Sequence, residues 1–394
     1  MSELNWIDSY GFIGTRLFDL PSLLICLLAI IVLGYLYKVP NKLLIVLTAH
    51  CLLPFVLNDV LFPAKYMPDQ FKYWTGVNLI RSGQVDISQA LSNLGNVFQA
   101  SAFLSILPFP TPASIISLGF YNTFLYIILF FILYTKNIFT KLSIWFYLLY
   151  PSLALYSALT LRETLIFFFM TLAVIYARES KIFRSALCLL PLYLIKFQNF
   201  FILGPIILIY AIFSVAKKGM GIFKSITILL IALLSLLLSA PLAIPLINKY
   251  RIAMHIEDGG DIDDISVISG PLEFINEGLT SGIYFLSKPL PWEASGLLPL
   301  IQSFENSVLL IILFIITRQA WKKQIDKLAF WLLFLAISMS IYGLVVSNYG
   351  TAVRYRYPFI VIYILFVCAD CNIQKLFPNK QNTPTKQDKV IIRN

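Results

Sequence analysis

Residues 185–214 read SALCLLPLYLIKFQNFFILGPIILIYAIFS, an apolar stretch whose one charge, Lys196, lies near its middle. One long helix would bury that ammonium in hydrocarbon, which is costly. Two short helices would meet at Lys196-Phe197-Gln198-Asn199 and leave it at an interface. The choice decides the side of the membrane on which every later segment lies. With one helix, the basic loops 217–224 and 318–327 and the basic tail would face outward, and the acidic 248–305 segment inward. That opposes the cytoplasmic preference of Lys and Arg. Two short spans are therefore expected, tilted or set in locally thinned bilayer.

The rest of the chain agrees with a membrane setting. Of 394 residues 59% are hydrophobic and 13% charged, with mean hydropathy +0.81. A soluble domain is less apolar and about 25% charged, and disorder needs the opposite bias. The 32 Phe and 21 Tyr suit rings packed in lipid and at its surfaces. Apolar runs of near-spanning length fall at 17–37, 43–62, 113–134, 142–160, 161–177, 185–196, 197–214, 225–247, 301–317, 328–346 and 357–369. The expected fold is all-α: a polytopic domain over 1–377 with about eleven transmembrane helices, and a polar cytoplasmic tail over 378–394. Loops bearing Lys38, Lys42, Lys136, Lys141, Arg178, Lys181, Lys217 and Lys322 are cytoplasmic on this reading. The N-terminus is then external and the C-terminus cytoplasmic. The opening MSELNWIDSYGFIGTR lacks a basic region and a cleavage site, so no removable signal peptide is expected. Cys26, Cys51, Cys188, Cys368 and Cys371 lie in or beside apolar runs, which indicates no disulfide framework.

Two external segments are too long for simple turns, 63–112 and about 248–300. In the first, Ile87, Leu91, Leu94 and Phe98 have helical spacing, which predicts an interfacial helix. The second carries a Gly–Asp cluster (Asp258, Gly259, Gly260, Asp261, Asp263, Asp264) without EF-hand order. The cluster is read as a solvated loop with no metal assigned, and interfacial helices are expected in both external segments.

Shorter outer turns carry sharper chemistry. Arg162 and Glu163 open the run 161–177, and Arg354 and Arg356 precede Pro358, which suits the first turn of the last span. Helix N-termini favour anions, and guanidinium forks match phosphate oxygens. Together they point to a diphosphate clamp. The competing explanation is snorkelling or pairing with Glu163. Asp69, beside apolar and aromatic residues, is a candidate base or a helix cap. Tyr73, at i+4, would share its face. Glu163 is the rival carboxylate. Lys196 and Gln198 flank the outer turn and could touch phosphate or sugar. His50 is expected to pack inside a span, and His255 has no sequence partner. No Walker A, dinucleotide, nucleophile-elbow or zinc-protease motif occurs, so no cofactor is expected. Nucleic-acid binding has no support either, since the scattered basic residues suit orientation and anionic membrane lipids.

Three outer elements line up: the acidic-aromatic loop at Asp69, the Leu161-Arg162-Glu163 turn, and Arg354-Tyr355-Arg356-Tyr357-Pro358. In this layout the chain resembles the bacterial O-antigen and capsular repeat-unit polymerases (Wzy type, including the EpsG-like group), within the membrane-embedded C-type glycosyltransferases. In the EpsG-like group a His-x-Ser-like turn often follows one hairpin later, where this chain has Lys196-Phe197-Gln198. The resemblance implies external chemistry at the bacterial cytoplasmic (inner) membrane on undecaprenyl-diphosphate-linked oligosaccharides, beside a flippase and a chain-length regulator. It also implies Asp69 as the catalytic carboxylate and Arg162, Arg354 and Arg356 at the diphosphate. The expected activity is polymerisation of lipid-linked repeat units. The alternatives are a single-sugar transferase using lipid-linked sugar, and a flippase or transporter, which would concentrate charge near the midplane.

Overall fold

The computed structural model describes residues 16–58, 60–63, 67–92, 94–215, 222–257, 261 and 265–373. The polar opening, Tyr66, the tail and most of the Gly–Asp cluster (Asp258, Gly259, Gly260, Asp263, Asp264) lie outside the described residues. Within them the regular structure is helical and no strand occurs. In order come α1 (Arg16–Leu36), α2 (Asn41–His50), α3 (Leu53–Leu57), α4 (Asp69–Arg81), α5 (Ile87–Ser92) and α6 (Gly95–Ser105). Next are α7 (Ile115–Thr135), α8 (Lys141–Leu149), α9 (Pro151–Ala158), α10 (Glu163–Arg178), α11 (Ile182–Ile195) and α12 (Phe197–Val215). The chain continues with α13 (Ile222–Glu257), α14 (Pro271–Ser287), α15 (Leu297–Lys323), α16 (Ile325–Val345) and α17 (Tyr349–Asp370).

Among the described residues five helices are long and apolar enough to cross a membrane: Leu17–Leu36 of α1, then α7, α15, α16 and α17. The pair α9 and α10 would add a sixth if counted as one span, but it bends by 115°. α7 and α17 are almost wholly buried and form the centre. α1 and α15 instead expose Leu24, Leu28, Ile31, Phe304, Ile311 and Phe314, as lipid-facing helices do.

Several expected runs are interrupted. The run 43–62 breaks at Cys51-Leu52 into α2 and α3. The run 142–160 breaks at Tyr150, whose ψ of 114° is extended. Pro151 disfavours helical geometry in the residue before it and cannot donate a backbone hydrogen bond. The expected single helix through Ile87, Leu91, Leu94 and Phe98 is two helices, α5 and α6. Gly95, with φ +81°, turns the chain between them, and Ile87 and Leu94 are exposed. Apart from the Gly–Asp cluster, the 248–300 segment is largely helical. α13 runs into it as far as Glu257, and α14 crosses α16 at close range. A Cβ on Gly343 would lie 2.4 Å from the carbonyl oxygen of Ser281, and one on Gly282 2.8 Å from the backbone nitrogen of Ser340.

The stretch 182–215 folds back on itself at Lys196. Ser185 Oγ donates to the Ala173 carbonyl and Arg162 Nη1 to the Ile195 carbonyl, so α11 runs antiparallel to α10. Asn199 Nδ2 then meets Met170 Sδ, and the Tyr210 hydroxyl reaches Asp370 beside Arg178, so α12 returns along α10. Asp370 ties that far end together. It accepts from Arg178 Nε at 2.8 Å, the Tyr210 hydroxyl at 3.1 Å and Trp331 Nε1 at 3.0 Å. Four helices, α10, α12, α16 and α17, are thus joined on one carboxylate.

Candidate active site

The site grows from the bend at Leu159–Arg162. Backbone groups that leave a helix need partners, and buried amides supply them. Asn122, in the apolar α7, donates from Nδ2 to the carbonyls of Leu159 at 2.6 Å and Leu161 at 2.5 Å. Gln70 Oε1 accepts from Thr160 N at 3.0 Å, and Gln70 Nε2 donates to Asn58 Oδ1 at 3.0 Å. The Thr160 hydroxyl donates to the Ile115 carbonyl. Gly119 lets α7 approach, since a Cβ there would lie 2.7 Å from the Ala158 carbonyl oxygen.

This frame presents Arg162 and Glu163 at the start of α10. Glu163 is 2% exposed, and Arg354 Nε lies 2.6 Å from its Oε1. The contact is charge to charge, because neither Glu163 oxygen accepts a hydrogen bond of normal geometry. Arg354 Nη1 donates to Asp69 Oδ2 at 3.1 Å, and Lys72 Nζ stands 3.5 Å from Asp69 Oδ1. Asp69 begins α4, and Tyr73 is buried one turn on, within electrostatic reach of Arg162, Glu163, Arg354 and Asp69. Arg162 is likewise within reach of Tyr73, Glu163, Tyr355 and Arg354, and its buried Nε has no hydrogen-bond partner. Lys196 Nζ sits 3.7 Å from the Tyr355 ring centroid and 6.0 Å from that of Tyr342.

The structure therefore gathers Asp69, Tyr73, Arg162, Glu163, Lys196 and Arg354 in one cluster. It does not bring Arg356 there. α17 starts at Tyr349, capped by Asn348 Oδ1, which accepts from Gly350 N at 2.8 Å and Thr351 N at 3.3 Å. Pro358 is thus well inside the helix rather than in its first turn. Residues two apart on a helix face different ways, so Arg356 leaves the face of Arg354. Its buried Nη1 donates to the carbonyls of Phe285 at 3.0 Å, Leu286 at 3.1 Å and Lys288 at 2.5 Å, closing the end of α14. Gln198 is half-buried in the first turn of α12 and makes no hydrogen bond to the cluster. Its neighbour Asn199 accepts from the Tyr342 hydroxyl.

His50 packs as expected, 2.8 Å from Ser157 Oγ and stacked on Tyr126 at 4.1 Å. His255 lies near the end of α13, and its buried Nε2 has no hydrogen-bond partner. Asn122, Gln70 and Asn199 belong to no motif in the sequence. An amide inside an apolar helix is the signal that could have found Asn122.

Around the cluster, Asp69 feels opposing influences. Burial works to raise its pKa, but Arg354 and Lys72 outweigh this and hold it below the ordinary 3.8. Asp69 is therefore an anion at neutral pH. With Arg162, Arg354, Lys72 and Lys196 set against two carboxylates, the cluster can receive an anion and offers carboxylate oxygens for a proton. No protein-family model, curated protein or solved structure matches the chain.

Proposed function

We propose that the protein is a membrane glycosyltransferase that polymerises oligosaccharide units carried on a polyprenyl diphosphate. The observation that carries this reading is the convergence of Arg162 and Arg354 on Glu163, from two helix-start regions far apart in sequence. The donor's anomeric carbon is attacked by a hydroxyl of a second lipid-linked unit, and the diphosphate leaves. Arg162, Arg354 and Lys196 stabilise its growing charge. Asp69 or Glu163 takes the acceptor proton. Donor and acceptor are both undecaprenyl-diphosphate-linked oligosaccharides on the outer face of the inner membrane. An apolar recess of about 560 Å³ between α8 and α15 offers room for hydrocarbon.

Eleven crossings follow if α2–α3, α8–α9, α10, α11, α12 and α13 span together with the five longer helices. The hairpin at Lys196 supports that count, since it returns the chain to the side of Asp370. The basic residues Arg178 and Lys327 flank Asp370, as a cytoplasmic end requires.

Replacing both Arg162 and Arg354 with Ala in a polymer-making host tests the reading. Loss of long chains with accumulation of single-unit glycolipid is expected. Long chains made at normal expression would reject the clamp. A ladder of products, rather than one addition, separates polymerisation from single-sugar transfer.

A further inference from the structure

The two carboxylates on Arg354 are not equivalent. Asp69 is reached from Nη1 alone, at 3.1 Å, and its side chain is 40% exposed. Glu163 meets Nε at 2.6 Å, with its side chain 3% exposed and neither oxygen accepting a hydrogen bond. A single neutralising contact at an open edge is weaker than the bidentate grip of a guanidinium on phosphate oxygens. The buried carboxylate is different. Beyond the Arg354 ion pair at Oε1, its oxygens have no hydrogen-bond donor among the described residues, and a buried acceptor left without a donor is costly. Arg162 Nε, in the same cluster, is a buried donor without an acceptor. A donor that brings anionic oxygens and an acceptor that brings a hydroxyl would together satisfy both.

We propose that Asp69 is a placeholder for the substrate diphosphate on Arg354, and that Glu163 is the carboxylate that receives the acceptor hydroxyl. This rests on the polyprenyl-diphosphate reading above and divides the work within its site. The donor's diphosphate displaces Asp69 from the outer edge of the Arg354 fork, while Nε stays on Glu163. The acceptor O–H then gives its proton to Glu163, and its oxygen bonds to the anomeric carbon. The bond from that carbon to the diphosphate oxygen breaks, and its electron pair leaves with the diphosphate between Arg162 and Arg354. Lys72, 3.5 Å from Asp69, gives the displaced carboxylate a second partner.

The test uses the purified full chain in nanodiscs, with inorganic diphosphate as the probe and calorimetry as the readout. If Asp69 leaves the fork free about a tenth of the time, D69N binds diphosphate about tenfold tighter. D86N removes a charge from the same external segment away from Arg354 and is expected to keep wild-type affinity. In polymer-making cells, E163Q at matched expression stops at single-unit glycolipid. The placeholder is refuted if wild type binds diphosphate but D69N binds no tighter, or if D86N tightens binding equally. The role of Glu163 is refuted if E163Q, at matched expression, makes long chains. Failure of both wild type and D69N to bind diphosphate rejects the underlying diphosphate reading instead.

Discussion

Arg354 Nε lies 2.6 Å from Glu163 Oε1 and joins the second turn of α17 to the first residue of α10. In a buried setting such a pair carries the cost of desolvating both charges, and removing one partner leaves the other uncompensated.

Arg354→Ala should therefore cost fold stability as well as function. The expected loss is about 3–5 kcal/mol, the range for breaking a buried ion pair. Chemical denaturation in nanodiscs measures it. Arg354→Lys should recover part of the stability and little of the diphosphate affinity, since an ammonium lacks the planar fork. A lysine variant with full affinity would contradict the fork.

Arg356→Ala should behave in the opposite sense. Its three carbonyl partners belong to the end of α14 and the residue after it. The variant is expected to melt earlier and yet, where folded, to bind inorganic diphosphate like the wild type. Weakened binding by folded Arg356→Ala would return this residue to the clamp.

Asn122→Leu removes the side-chain donor shared by the Leu159 and Leu161 carbonyls; Leu159 keeps the Leu161 N–H, and the Leu161 carbonyl is left unpaired at the bend. About 1–3 kcal/mol of destabilisation is expected for buried groups left unsatisfied. Polymer yield should fall further than the loss of folded protein explains, because the bend aims Arg162 and Glu163. Yield that tracks folded protein alone would limit Asn122 to a structural role.

The Asp69–Arg354 contact has a definite pH signature. Burial opposes ionisation of Asp69, and Arg354 and Lys72 prevail, so its folded pKa is depressed. A carboxylate of this kind adds stability above its unfolded value, lost as pH falls through the folded one. The melting difference between wild type and D69N should stay flat from about pH 5 to about pH 8 and shrink below the unfolded value of about 3.9. A difference that changes near neutrality would place another titrating group in the contact.

Sidedness can be read by cysteine labelling, since the native thiols are buried or half-buried. Gln84→Cys, on the exposed turn after α4, should react with an impermeant maleimide in intact cells. Lys322→Cys, at the far end of α15, should react only after permeabilisation. The reverse pattern would overturn the proposed orientation.

The hairpin at Lys196 was legible because a lone ammonium in apolar sequence has few inexpensive positions. The Asp69–Tyr73 register was legible because i and i+4 share a helix face. Pro358 suits a first turn, which would set Arg354 and Arg356 side by side just before the helix. The stronger marker was Asn348, whose side chain starts α17 and places the two arginines on different faces. The pairing of Arg354 with both Asp69 and Glu163 depends on contacts between helices distant in sequence, which periodicity does not encode. Nor did spacing mark Gln70 and Asn122, whose importance comes from the 115° bend they support. The repeat of small residues at Gly278 and Gly282 was a readable sign of close helix packing.

That packing has a mechanical consequence. Where Gly343 presses against the backbone of Ser281, no space is left for an acyl or isoprenoid chain to slip between α14 and α16. The two helices must travel as one plate, and a lipid moving in sideways from the bilayer has to part some other pair.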